Sequence, residues 1–115
     1  MRDFPAFMRS PANRIAPSSQ HTPGVVGYVF DGADGTQMAF WTVERDAATA
    51  EHVHDFDEWF CVIAGSYVLT LDGAEIRVGA GQECFIPKGT KIAGRASAGT
   101  RTIHAFGGRR AARAT

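Results

Sequence analysis

No window of twelve residues in this chain shows the apolar period of a surface helix, while short runs rich in β-branched and aromatic residues follow one another from Val25 to Phe106. Runs at 25–30, 37–43, 58–63, 67–71, 75–78, 84–86 and 101–106 read as strands, with a further strand carrying His52 and His54. The turns support this for a physical reason. Asp72-Gly73 and Asp34-Gly35 each separate two such runs, and an Asp-Gly pair accommodates the positive φ angles that a tight hairpin requires. Strands this short and numerous fit an all-β sandwich or barrel, in which closure hides edges that would otherwise pair with other chains.

With 115 residues the chain is expected to form one domain. Its formal net charge is zero, so no global field draws it toward nucleic acid or a membrane surface, and neither is expected as a partner. The charges are unevenly spread: five acids and no Lys or Arg lie between Asp46 and Glu58, and seven bases and no acid follow Glu83. The two regions can neutralise each other across the fold. No apolar run reaches the length of a membrane helix, and the first residues, with Asp3 and Pro5, lack the apolar core of a signal peptide. The expectation is a cytoplasmic protein.

Residues 1–23 mix Pro5, Pro11, Pro17, Ser18, Ser19 and Pro23 with isolated apolar side chains and read as an arm. Phe4, Phe7, Met8 and Ile15 are too apolar for a free tail, so the arm is expected to pack on the body or on a second subunit. Together with the strand edges of a small barrel, this predicts a homodimer. Residues 24–108 would form the barrel and 109–115 a C-terminal tail. Cys61 and Cys84 lack C-x-x-C spacing and read as buried thiols.

The chemistry concentrates in His52-Val53-His54-Asp55-Phe56-Asp57-Glu58. In an extended strand alternate side chains share a face, so His52, His54 and, if the phase persists, Glu58 point one way. Two neutral imidazoles and a carboxylate suit a divalent transition metal such as Fe, Mn, Ni, Co or Zn, and a coordination position left open suits water, substrate or dioxygen. Cys61 has the opposite phase to Glu58, which argues against it as a ligand.

The spacing His52-x-His54-x3-Glu58-x6-Gly65 resembles the first signature of the cupins, and Gly81-x5-Pro87-x-Gly89 resembles the opening of their second. The resemblance spans about 24–106. It implies a double-stranded β-helix, or jelly-roll barrel, of six to eight strands with a metal near its mouth. Two positions depart from the pattern. Asp46 stands where a glycine usually opens the first signature, and Ile92 stands where the second signature carries a histidine ligand. Isoleucine cannot donate to a metal, so the site has three protein ligands, or another side chain substitutes, or the pocket has lost its metal.

His104 is the candidate substitute, and His21, in the arm, is a weaker one. The segment around His104 is similar to a small-cupin ending, D-x-F-x-x-x-R, with His104, Phe106 and Arg110 in the named places. That ending implies a pocket-facing His104. Strand alternation also allows the reverse, with Ile103 and Ala105 inward. Phe60, Val62, Phe106, Tyr67 and Met38 are candidate pocket walls, and Arg110 or Arg101 could hold a substrate carboxylate bidentately. The site set is therefore His52, His54, Glu58 and His104 for metal, with His104 and Arg110 as catalytic candidates. The resemblance favours a metal-dependent isomerase, lyase or dioxygenase acting on a small oxygenated organic acid or a sugar-derived molecule. A non-catalytic binding or sensor domain, and a structural barrel with a decayed site, are the other readings.

Overall fold

The computed structural model describes residues 3–20 and 22–114; His21 lies outside them. Among the described residues nine strands form: β1 Val25–Asp31, β2 Gln37–Val43, β3 Ala47–Val53, β4 Glu58–Ala64, β5 Ser66–Leu71, β6 Ala74–Gly79, β7 Glu83–Ile86, β8 Lys91–Ala96 and β9 Arg101–Phe106. The β5–β6 hairpin closes through Asp72 at φ 48° and Gly73 at φ 85°, the two left-handed residues of a type I′ turn. Asp34 does more than turn the chain at the β1–β2 hairpin, since its carboxylate accepts from the Thr36 amide at 3.1 Å.

The strands assemble into a five-stranded sheet, β1-β2-β9-β4-β7, and a four-stranded sheet, β3-β8-β5-β6, with every strand pair antiparallel. This is a double-sheet jelly roll. The inner faces interlock through Phe60, Val62, Leu69, Val78, Ile86 and Ile92, and through a second cluster containing Ile15, Val29, Trp41 and Phe106. Gly27 makes the second cluster possible, because a Cβ there would sit 2.3 Å from Trp41 Nε1.

Strand β8 is absent from the sequence-based expectation. Lys-Ile-Ala-Gly-Arg-Ala has little β-branched or aromatic content, and it is extended because β3 and β5 flank it and pair with it on both sides. Its Gly94 is required by packing, since a Cβ would meet Tyr67 Cε1 at 2.4 Å.

The segment 52–58 is divided between the two sheets. His52, His54 and Glu58 do not share one strand: β3 ends at Val53, His54 lies beyond it, and Glu58 opens β4 in the opposite sheet. The β3–β8 register also shifts between Thr49 and His52. A regular strand that turns Thr49 inward would turn Glu51 inward next; the irregularity adds one residue and brings His52 to the inner face instead.

The arm folds back on its own chain. Three 3-10 turns, Ala6–Arg9, Pro11–Asn13 and Pro17–Ser19, carry it along the edge of β1, where the Ile15 amide donates to the Gly27 carbonyl at 2.9 Å. Phe4 and Ile15 are buried, whereas Phe7 is 79% exposed. The C-terminal residues pack against the arm: Ala111 joins the core, the Ala114 amide donates to Arg14 at 2.8 Å, and Arg113 bonds Asp31 at 2.7 Å. Cys61 and Cys84 are free and half-buried, more exposed than expected, because both lie on strands near the edge formed by β7.

Candidate functional site

Between the sheets a cavity with about 80 Å³ of room for solvent is lined by His52, His54, Glu58, His104 and Arg110, with Trp41, Phe60, Tyr67, Ile92, Thr102 and Phe106 among its walls. Register explains why these side chains meet. Glu58 pairs with Phe106, Phe60 with His104 and Val62 with Thr102, so the alternate residues of β4 and β9 form one inward row. His52 enters from the opposite sheet, directly across from Ile92.

Glu58 is the centre of the polar contacts. Its Oε2 accepts from His104 Nδ1 at 2.8 Å, and its Oε1 lies 3.7 Å from His54 Nε2. Burial pushes the Glu58 carboxyl up, but the His104 hydrogen bond and the charges of His104, His54 and Arg110 outweigh it and hold the group below the usual carboxylate range. Burial is also the main influence on His54; it favours the neutral imidazole, against the opposing pull of Glu58. The other ring nitrogen of His104 meets Thr102 Oγ1 at 2.8 Å. Both ends of this imidazole are therefore engaged, Nδ1 with the Glu58 carboxylate and Nε2 with the Thr102 hydroxyl.

Among the described residues, no three His, Cys, Asp or Glu side chains stand as a ready metal-binding group. The donor chemistry nevertheless fits one. Ligand atoms about 2.1 Å from a common ion are separated from each other by about 3.0–3.5 Å, close to the His54–Glu58 spacing of 3.7 Å. His52 Nδ1 contacts the Ala50 carbonyl at 3.0 Å, and such a backbone contact commonly orients a metal-binding histidine.

Arg110 lines the same cavity. Its guanidinium lies 5.5 Å from the centre of the Trp41 ring and donates through Nη1 to the Ser19 carbonyl at 2.6 Å. No carboxylate among the described residues forms an ion pair with it. The backbone at Arg110 is fixed by Gln37, whose Oε1 accepts from the Arg110 amide at 2.7 Å. Arg101 is placed differently: it stacks on the Phe4 ring at 5.1 Å and does not line the cavity. Met38, a candidate wall, is 47% exposed and lies outside the cavity; its paired neighbour on β9 is Ala105, whose phase is opposite to His104.

Sequence reasoning missed Gln20, Thr22, Trp41, Thr49 and Thr102. Thr102 was accessible, because it alternates with His104 and Phe106 on one strand. Gln20 and Thr22 were not, since the arm has no periodicity to say which side chains turn inward. In the folded chain Gln20 accepts from Trp41 Nε1 at 2.9 Å, Thr22 bonds Thr49, and Thr49 reaches the Tyr67 hydroxyl at 3.1 Å. The arm is thus part of the cavity wall.

The family model for the cupin domain matches residues 39–103, more than half of the chain. The chain belongs to the cupin family. No curated protein matches this cupin by sequence. Among solved structures it is similar to KdgF from Halomonas sp., at 19% identity over 84% of this chain and 93% of that one, with a TM-score of 0.67. An RmlC-like cupin from Shewanella frigidimarina gives 16% identity, 86% coverage of both chains and a TM-score of 0.72. The polyketide cyclase RemF from Streptomyces resistomycificus gives 21% identity, coverage of 86% and 75%, and a TM-score of 0.68. At these identities the likeness is one of fold.

Proposed function

We propose that this cupin is a metal-dependent enzyme of small-molecule chemistry, an isomerase, lyase or dioxygenase, acting on a small oxygenated organic acid or a sugar-derived molecule. The supporting observation is that His52, His54 and Glu58 line one small cavity with Arg110, to which no carboxylate among the described residues forms an ion pair. His52, His54 and Glu58 would hold a divalent transition metal, which supplies Lewis acidity toward a substrate oxygen or, at a redox ion, dioxygen chemistry.

The chain's own side chains supply the remaining functions. Arg110 carries a permanent charge and has N–H groups beyond the one held by Ser19, so it can take a substrate carboxylate while Trp41 keeps its plane fixed. His104 holds the Glu58 carboxylate in orientation. Phe60, Phe106 and Ile92 exclude water and strengthen these contacts by lowering the local dielectric. Ile92, in the position of the family's fourth ligand, supports a second reading, a cupin that binds a small molecule without turning it over.

Elemental analysis and calorimetric metal titration of untagged protein test the proposal. About one divalent transition metal per chain is expected, lost in the His52→Ala/His54→Ala double variant. Absence of binding to the parent protein, or binding that survives the double variant, would overturn the metal assignment.

A further inference from the structure

Tyr67 starts on β5 of the four-stranded sheet, and its ring lies across β8 to reach β3. Register makes this possible. Leu69, two residues along, pairs with Gly94, and Gly94 pairs with Thr49. Because Gly94 has no side chain, the Tyr67 ring takes the space a Cβ would need, with Cε1 only 2.4 Å from that position. The phenol thereby meets Thr49 Oγ1 at 3.1 Å, and Thr49 in turn bonds the Thr22 hydroxyl of the arm. All three residues line the cavity, beside Val25, Val43, Ala47 and Ala96. Phenylalanine and valine would fill the same space, so what the hydroxyls add to an apolar wall is directional bonding.

Three hydroxyls supply three protons and the two bonds between them use two, so the chain keeps one uncommitted proton. With Thr22 donating to Thr49 and Thr49 to Tyr67, that proton is the phenol's own; with the order reversed, the phenol oxygen accepts instead. Burial pushes the Tyr67 phenol up and the Glu58 charge adds to this, while the Thr49 hydrogen bond and Arg110 act against it without reversing it, so the group stays neutral at neutral pH. Arg110 is the one Lys or Arg among the described residues that line the cavity. The Tyr67 wall therefore has no cation for a second anionic group, and it suits a neutral oxygen.

We infer that Tyr67 determines specificity by reading a hydroxyl or carbonyl oxygen of the ligand, and that the cavity takes a hydroxy- or oxo-monocarboxylic acid. This rests on the reading of Arg110 as the anchor of the ligand carboxylate. The two anchors come from opposite sheets: Arg110 lies over Trp41 of β2, whereas Tyr67 extends from β5. Tyr67 also stands apart from the metal candidates. It pairs with Ala96, four residues along β8 from the Ile92 that faces His52, or about 13 Å of strand. The phenol therefore reads a different part of the ligand from the one a metal would hold. A site built to bond a ligand hydroxyl discriminates against the analogue that lacks it, because its own buried polar group is then left unpaired.

NMR titration of the metal-loaded full chain with butanoate, 3-hydroxybutanoate, 4-hydroxybutanoate and succinate tests this. The better hydroxy acid should bind about tenfold more tightly than butanoate, the worth of one hydrogen bond, and succinate should gain nothing over butanoate. Tyr67→Phe should abolish the preference while leaving butanoate affinity and metal content unchanged, and Arg110→Gln should weaken both acids and keep their ratio. In the unmodified protein the Tyr67 ¹³Cζ signal should move with the hydroxy acid and not with butanoate, with Tyr28, the other tyrosine of the chain, as internal reference. Equal affinities in the parent protein, a preference that survives Tyr67→Phe, or a Tyr67 signal indifferent to the hydroxy acid would overturn the Tyr67 assignment alone. Butanoate binding unaffected by Arg110→Gln would overturn the carboxylate anchor and this assignment with it.

Discussion

His104 Nδ1 lies 2.8 Å from Glu58 Oε2, and Thr102 Oγ1 closes on the opposite nitrogen of the same ring at the same distance. This arrangement makes His104 a group that orients the Glu58 carboxylate, with no lone pair left to donate elsewhere. His104→Ala should therefore weaken metal binding by about 10–100-fold, the usual cost of losing a partner that orients a ligand, without abolishing it. Thr102→Val should act in the same direction with a smaller effect. Calorimetric titration of each variant checks the order; complete loss of metal in His104→Ala would make His104 a ligand.

Ile92 faces His52 across the β3–β8 pair and is 5% exposed. Ile92→His places an imidazole where the family signature has one. Without metal the buried polar ring should destabilise the fold by about 1–3 kcal/mol. With metal the new donor should more than offset this. Thermal unfolding with and without added metal should show a larger metal-induced rise in Tm for the variant than for the parent.

Gln37 is 2% exposed and uses both ends of its amide: Nε2 donates to Asp31 at 2.8 Å and to the Ala111 carbonyl at 3.0 Å, and Oε1 accepts from the amides of Arg110 and Ala111. Gln37→Leu strands these partners and should cost about 2–3 kcal/mol in a denaturant melt. Since it also releases the Arg110 backbone, binding of small carboxylic acids should weaken while metal content stays unchanged.

Asp31 accepts hydrogen bonds from Gln37 and Arg113, in that order of influence, and both hold its carboxyl below the ordinary value. A carboxyl with a depressed folded-state pKa adds stability above its unfolded value, near 3.9, and loses it as pH falls through the folded value. Acid should therefore loosen the contact between the C-terminal residues and β1. Carboxyl ¹³C titration by NMR should place the Asp31 midpoint below that of a free aspartate, with Gln37→Leu raising it more than Arg113→Ala.

The all-β class was legible in the sequence because its causes are local. Asp72-Gly73 encodes a left-handed turn in two residues, and runs such as 67–71 carry β propensity in their own side chains. The spacing of His52, His54 and Glu58 was legible for the same reason, although the division of the three between two sheets was not. What the tertiary structure alone decided depends on pairing between distant segments. The register shift that turns His52 inward, the extension of Lys91–Ala96 between two neighbouring strands, and the seating of Gln20 against Trp41 each require a partner far away in the chain. The same holds for the contact between Tyr67 and Thr49. The two come from strands separated by β8, and only the sheet order and the bare Gly94 between them make them neighbours, whereas each alone in the sequence is an ordinary strand residue.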